Sequence, residues 1–369
     1  MKYREPTIQD FLASIPGKIR FVNYATGCDF GGTKERFVLY GLSNQKTIHP
    51  LIRVHWFTAD NVPMAAMIDA YRQILKAYRY DMPKQACFGL AGPIEANGRI
   101  CRLTNSEKTI SVSELKKLGI TAFLYNDFFV NIAAIPVLAK SYSDRLEHAV
   151  PTDRKHSSNQ VIAIGPGSGM GVGLGEYSDN RFCLRASEGG HTLYGPTGKI
   201  EDRLLTFIRD TITKGKPVEV EQIASGIGIS YIFRFLAGQR PFSTLKSFTK
   251  LMQNTKSQPP QIAGRMIIDA YNNGFAELEI GLKIFVEASA LTAINQVQTM
   301  AAYGGKVFIL GGNARRTLPL FEKYFMPVFD NPYIHADKLR ATSVYVVKKK
   351  NIGTLGAASL ILRSDLYRF

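Results

Sequence analysis

Cysteine is scarce in this chain. Only Cys28, Cys87, Cys101 and Cys183 occur in 369 residues, with no C-x-x-C pair and no histidine beside them. That spacing argues against a zinc site. Three of the four lie in or beside apolar, strand-like runs, where a reduced thiol behaves as a small core residue, so a reducing cytosol is expected. No apolar run reaches the roughly 18 residues of a spanning helix, which predicts a soluble protein with no membrane partner. Residues 1–20 lack the uninterrupted apolar stretch of a secretory leader, and Tyr367-Arg368-Phe369 is not a peroxisomal tripeptide, so a cytoplasmic location is expected. Acid is short of base, 30 Asp and Glu against 46 Lys and Arg, for a net charge of +16. Lys348-Lys349-Lys350 is the only basic triplet. Without zinc-finger spacing or a basic run interleaved with aromatics, no nucleic-acid partner is expected, and the charge reads as a solvated surface that also attracts anionic substrates. Walker loops are missing, and 165–175, although glycine-rich, does not fit G-x-G-x-x-G, so neither nucleotide motif applies.

What is present is 45% apolar residues in a chain long enough for two domains. Residues 1–20 mix charge with Phe11, Leu12 and Ile15 and predict a short amphipathic helix. Residues 21–25 and 36–40 are strand-like around Gly31-Gly32, a β-hairpin pattern, and 54–57 predicts a third strand. Met64, Met67, Ile68, Tyr71, Ile74, Leu75 and Tyr78 recur at helical spacing, predicting an amphipathic helix over 63–80 with Pro63 near its start. Further strands are expected at 85–91 and 100–103, and Ser111-Val112-Ser113-Glu114 has the form of a capping box. The apolar run 122–125 stops at Asn126-Asp127 and is followed by a helical pattern over 128–138. Residues 141–159 are polar and aperiodic and read as an exposed loop. A second strand, glycine turn and strand (161–164, 171–174) repeats the first design coarsely. Beyond Glu201 the pattern is mainly helical, interrupted by strands at 307–310 and 343–347 and closed by a helix over 353–362.

Several of these places can carry chemistry. In Asp29-Phe30-Gly31-Gly32-Thr33 the glycines let backbone approach a phosphate, Thr33 adds a hydroxyl, and Asp29 can hold magnesium through water; an ordinary hairpin turn reads equally well. Gly165-Pro166-Gly167-Ser168-Gly169 can present N–H groups to a second phosphate, or be a plain glycine-rich hairpin. Asp127 can accept a proton from a hydroxyl that Asn126 fixes, or can simply cap the next helix. Glu188-Gly189-Gly190-His191 lets two polar side chains converge on a small ligand, or is a solvent-facing turn. Gly311-Gly312 after a strand can abut a base or ribose, or start a helix. Glu221 alone is uninformative. Their joint order places a base between two phosphate turns, which is a kinase arrangement.

In that order these residues resemble the bacterial-type glucokinases of the hexokinase, actin and heat-shock ATPase superfamily. The resemblance rests on Asp29-x-Gly-Gly-Thr33, Leu103-Thr-Asn105, Asn126-Asp127-Phe128, Gly165-x-Gly-x-Gly-x-Gly171, Glu188-Gly-Gly-His191 and Gly311-Gly312, and spans nearly the whole chain. It implies an α/β, two-domain actin-like ATPase (ribonuclease H-like) fold. A small α/β domain, 1–136, would be completed by the C-terminal helix of 353–369, with a larger α+β domain over 137–352 and a cleft between. It implies ATP-dependent phosphorylation of D-glucose at the 6-hydroxyl, the first step of glycolysis, with Asp127 as general base. Asn105, Asn126, Glu188, His191 and Glu221 would bind the sugar hydroxyls. Gly31, Gly32, Thr33, Gly167, Ser168 and Gly169 would cradle the phosphates of ATP, Gly311 and Gly312 would lie against the adenosine, and Asp29 would help hold Mg2+. A homodimer is the implied assembly. Two departures stand out. The Thr-Asn stretch is usually followed by a Trp two or three residues on, where Ser106-Glu107-Lys108 stands here. The segment before Phe21 is also longer than the bacterial pattern, which hints at a eukaryotic microbe or an oligomer contact. The competing expectations are a kinase for glucosamine, fructose or mannose, and a non-catalytic sugar sensor on the same scaffold.

Overall fold

The computed structural model describes residues 4–15, 19–95, 97–104, 106–147, 157–240, 242–331 and 334–368. Asn105 lies outside the described residues. In chain order the first strands and helices are β1 (Thr7–Asp10), β2 (Phe21–Phe30), β3 (Lys34–Ser43), β4 (Ile48–Phe57), α1 (Met64–Ala77), β5 (Gln85–Leu90), β6 (Ile94–Glu95), β7 (Ile100–Arg102), β8 (Thr109–Ser111), α2 (Val112–Lys117), β9 (Thr121–Asn126) and α3 (Asp127–Ala133). Next come β10 (Ser143–Leu146), β11 (Gln160–Pro166), β12 (Met170–Ser178), β13 (Arg181–Ser187), α4 (Lys199–Thr211), α5 (Gly226–Ala237), α6 (Lys246–Lys256), α7 (Pro260–Asn272) and α8 (Glu279–Thr299). The chain closes with β14 (Lys306–Ile309), α9 (Gly312–Arg316), α10 (Leu318–Phe329), α11 (Ala336–Leu339), β15 (Ser343–Val347), α12 (Ile352–Leu362) and β16 (Tyr367–Arg368). These divide into one unit of Met1–Lys140, Tyr177–Ala186 and Asn351–Phe369, and a second of Ser141–Glu176 and Ser187–Lys350.

In the first unit six strands run in the order β1-β4-β3-β2-β5-β9. β2, β3 and β4 form an antiparallel meander, while β5 and β9 join in parallel. Alternation sends Phe37 and Leu39 of β3 and Ile52 and Val54 of β4 into a core with Met67, Ile68, Tyr71 and Leu75 of α1. Those four recur at the spacing that the sequence gives to one helical face. α12 holds the unit from the other end of the chain. Tyr40 and Thr354 share a hydroxyl hydrogen bond of 2.8 Å, and a Cβ on Gly356 would lie 1.7 Å from the Val130 carbonyl oxygen of α3. Only glycine lets those two helices meet backbone to backbone.

The second unit carries the strand order β10-β15-β14-β11-β12. β11 and β12 form an antiparallel hairpin, and β14 pairs in parallel with β11 as β5 does with β2, so the repeated design expected from the sequence extends to the neighbouring strand. α8 is buried on most sides, and Phe233, Phe285, Phe321 and Phe325 fill the centre of the unit's apolar core.

Two expectations fail for the same reason. Residues 7–10 form strand β1 in place of a helix, and the polar Ser143–Leu146 forms β10 inside the stretch read as loop. Each is an edge strand recruited by the open backbone of a neighbour, β4 and β15 respectively, so pairing and not local apolar pattern decides its state. The expected loop also runs over 148–156, outside the described residues. The helix expected over 128–138 stops at Ala133 and continues as a 3-10 turn, Ile135–Val137, at Pro136.

The Gly356→Ala variant is expected to be overpacked against α3 and to lose about 1–3 kcal/mol of stability; a urea midpoint equal to the parent's would show that the two helices are not in backbone contact.

Candidate active site

The first unit assembles its candidate residues through strand register. Phe30 of β2 lies opposite Leu90 of β5, and Leu90 opposite Asn126 of β9, so three parallel strands end at one level. The polar residues that follow emerge at their carboxyl ends, where open α/β sheets bind ligands. Asn126 is the N-cap of α3: its side chain accepts from the Phe128 N–H at 2.9 Å. Capping thus falls to Asn126, and Asp127 occupies the first helical position. Asp127 is near Cys101, whose thiol is pushed up to about 11 by burial, with the Asp127 and Glu95 charges adding to the effect. The expectation that cysteines are core residues holds for Cys28, Cys87 and Cys101, all buried.

The turn Gly31-Gly32-Thr33 is tied down by Thr58. Its N–H donates to the Thr33 carbonyl at 3.1 Å and its hydroxyl to the Gly31 carbonyl at 2.9 Å. Both carbonyls, which would repel a phosphate, are thereby engaged. Asp29 lies opposite Arg36 in the hairpin and accepts from its guanidinium at 2.8 Å. Among the described residues no group of three or more His, Cys, Asp or Glu forms a metal cage.

In the second unit, the turn 165–169 has its carbonyls held in the same manner. Gly167 O accepts from the Gly226 N–H at 2.8 Å and the Asn313 side-chain amide at 2.7 Å, and Ser168 O from the Ile227 N–H at 3.2 Å. Gly311 has φ +101, a backbone that favours glycine, and lies against Gly167. The structure therefore brings Gly311-Gly312 to the turn Gly167-Ser168-Gly169. Glu221 also belongs here: its carboxylate accepts from the Met170 N–H at 2.8 Å, so close to Gly169 that a Cβ there would sit 2.3 Å from the oxygen.

Glu188 precedes the 3-10 turn Gly189–His191 and His191 is its last residue. The glycines serve packing more than convergence: a Cβ on Gly190 would meet the Met170 carbonyl oxygen at 1.9 Å. His191 Nδ1 lies 2.8 Å from Glu219, and its Nε2 4.0 Å from Glu188, which is 84% exposed. The bond to Glu219 raises the His191 pKa above the ordinary value, with burial opposing and Glu221 adding.

Glu219 and Asn313, which hold the candidate residues His191 and Gly167, are contacts that the sequence reading missed. For Glu219 a signal existed, since Glu219 and Gln222 form a reciprocal capping box around Val220–Gln222. Asn313 had none beyond its place after the glycine pair.

Solved structures carry this fold. A glucokinase from an Antarctic psychrotroph matches with a TM-score of 0.69 at 23% identity, over 92% of this chain and 99% of that one. A glucokinase from Balamuthia mandrillaris in complex with glucose matches at 0.66 with 17% identity, over 92% and 94%. The third is a ROK-family glucokinase from Streptomyces griseus in complex with glucose and AMPPNP, at 0.59 with 17% identity, over 92% and 99%. With its two anchored glycine turns, the chain falls among the sugar kinases of the actin-like ATPase fold. It belongs to the glucokinase family, whose profile matches residues 27–364. Curated glucokinases of Nostoc punctiforme (27% identical, covering 89% of this chain and 96% of theirs) and a Synechocystis strain (28%, covering 91% and 97%) are among its relatives.

A raised pKa means that the His191–Glu219 pair contributes fully below the ordinary histidine value and fades as pH rises through the raised one. In a Glu219→Gln variant the His191 resonance, followed by NMR, is expected to titrate at lower pH than in the parent; an unchanged midpoint would assign the shift elsewhere.

Proposed function

We infer that the protein transfers the terminal phosphoryl group of ATP to the 6-hydroxyl of D-glucose, giving glucose 6-phosphate and ADP. The observation that carries this reading is the division of labour at the end of β9. Asn126 caps α3 with its side-chain oxygen, which leaves its NH2 group to hold a hydroxyl, and Asp127 follows it at the first helical position, a carboxylate at the carboxyl end of β9. Asp127 takes the proton of the 6-hydroxyl as that oxygen attacks the terminal phosphorus and the bond to ADP breaks. Asn105, Asn126, Glu188 and His191 fix the other hydroxyls, and Glu221 acts from beside the phosphate turn. Sites of such polar groups reject a sugar that leaves one unpaired.

In the first unit Gly32 and Thr33 offer backbone N–H and hydroxyl groups to a phosphate of ATP, with Gly31 shaping the turn by donating its N–H to the Lys34 carbonyl. Taken by itself, the turn of the second unit offers the same from Ser168 and Gly169, with Gly167 holding it closed through its N–H to the Gly169 carbonyl. Gly311 and Gly312 lie against the adenosine. Asp29 is the residue that would help hold Mg2+, an ion that would supply charge neutralisation on the phosphate oxygens. The first unit plays the part of the small domain and the second that of the large one. We propose further that it acts at the entry to glycolysis, in the cytoplasm and as a homodimer, as the family resemblance implies.

The test is a coupled ADP-release assay with MgATP against glucose, glucosamine, fructose and mannose. Turnover is expected to be strongest on glucose and to fall by more than about a hundredfold in kcat for Asp127→Asn with the fold intact. Strongest turnover on another sugar would change the substrate; near-parental turnover in the variant would end the role of Asp127 as base.

A further inference from the structure

One buried ion pair in the first unit has no part in the mechanism above. Glu35 is fully buried on β3, two residues after Thr33, and its carboxylate lies 2.5 Å from Lys108 Nζ, whose side chain is 9% exposed. Lys108 closes the turn 103–108: its carbonyl accepts from the Leu103 N–H at 3.0 Å, while the Thr104 N–H donates to Ala91 at 2.9 Å.

As a source of stability the pair is poorly built. The second carboxylate oxygen of Glu35 finds no hydrogen-bond partner among the described residues, and the other near neighbour of Lys108 Nζ is the Met67 sulfur at 3.9 Å. Burial raises the Glu35 pKa despite the ammonium beside it. Apolar residues of similar volume usually stabilise such a place as well or better, and the best-attested use of a buried ion pair is to fix register. Here the two partners are 73 residues apart, one on the strand leaving the Gly31–Thr33 turn and the other three residues after Asn105 in sequence, at the point where the Leu103 N–H is received.

We propose that Glu35 and Lys108 are positioning residues that set the turn 103–108, and through it the sugar, in register with the phosphate turn 31–33. The proposal rests on the kinase reading. An apolar pair in their place removes the directional bond while keeping the volume, so the turn keeps its packing and loses its fixed position.

The experiment compares the parent, Lys108→Met, and the double variant Glu35→Leu/Lys108→Met. The single variant, with a lone buried carboxylate, is expected to melt well below the parent, and the double variant near it. Despite that recovery, the double variant is expected to show a KM for glucose raised about tenfold or more, with the KM for ATP within about twofold. Faster hydrogen exchange at the Leu103 and Thr104 amides is expected alongside. A double variant with parental melting, parental glucose KM and parental exchange would reduce the pair to core packing and overturn the proposal. If the double variant does not fold, Glu35→Gln/Lys108→Met, which removes the ammonium donor and leaves no lone carboxylate, serves instead, and a parental glucose KM there overturns it equally. A parent without turnover on any sugar would fail the kinase reading, and the exchange comparison would still decide whether the pair fixes the turn.

Discussion

A glycine turn receives a phosphate only when its own carbonyl oxygens are held elsewhere. Both candidate turns of this protein meet that condition, by different means. Thr58 takes the carbonyls of Gly31 and Thr33. The start of α5 and the Asn313 amide take those of Gly167 and Ser168. Most of the surrounding architecture follows from keeping these anchors in place: β4 must run long enough to deliver Thr58, and β14 must end where Asn313 can reach back to Gly167. With these carbonyls engaged before any ligand arrives, each turn presents fewer repelling oxygens to a phosphate, as electrostatic preorganisation favours.

Much of this was legible in the sequence because the relevant signals are local. An apolar run stopping on Asn126-Asp127 marks a strand end, and Gly-Gly between two strand-like runs marks a hairpin. The helical period of α1 and the strand Ser343–Val347 also survive almost unchanged in the structure. What stayed hidden depends on partners far along the chain. Glu219 matters because His191 lies 28 residues away in sequence, and Glu35 because Lys108 lies 73 away. Singly, each reads as one more solvated charge. Glu188-Gly-Gly-His191 was legible as a site but not for its reason: the glycine at 190 answers a steric demand from Met170, which no pattern in its own segment reveals.

Neither unit keeps its chemistry apart from its packing. Asn126 is at once a helix cap and a candidate sugar ligand, and Glu221 both ties the Met170 amide and borders the phosphate turn. Side chains with two duties are held to one rotamer by the structural duty, so the functional one needs little further ordering on binding. The net charge of +16 has an electrostatic reading: a basic exterior favours the approach of anionic ligands in general.

All four residues of β1 are exposed, yet the strand pairs along β4 from Thr7↔His55 to Asp10↔Ile52. It adds no side chain to the core and works as a cover. A chain shortened past Asp10 would keep its apolar centre and present the unpaired backbone of a ten-residue strand to its neighbours. Such an edge is a template for intermolecular pairing. The first segment of the chain therefore guards colloidal behaviour rather than fold, and trimming it by a protease would be felt as aggregation long before any loss of melting temperature.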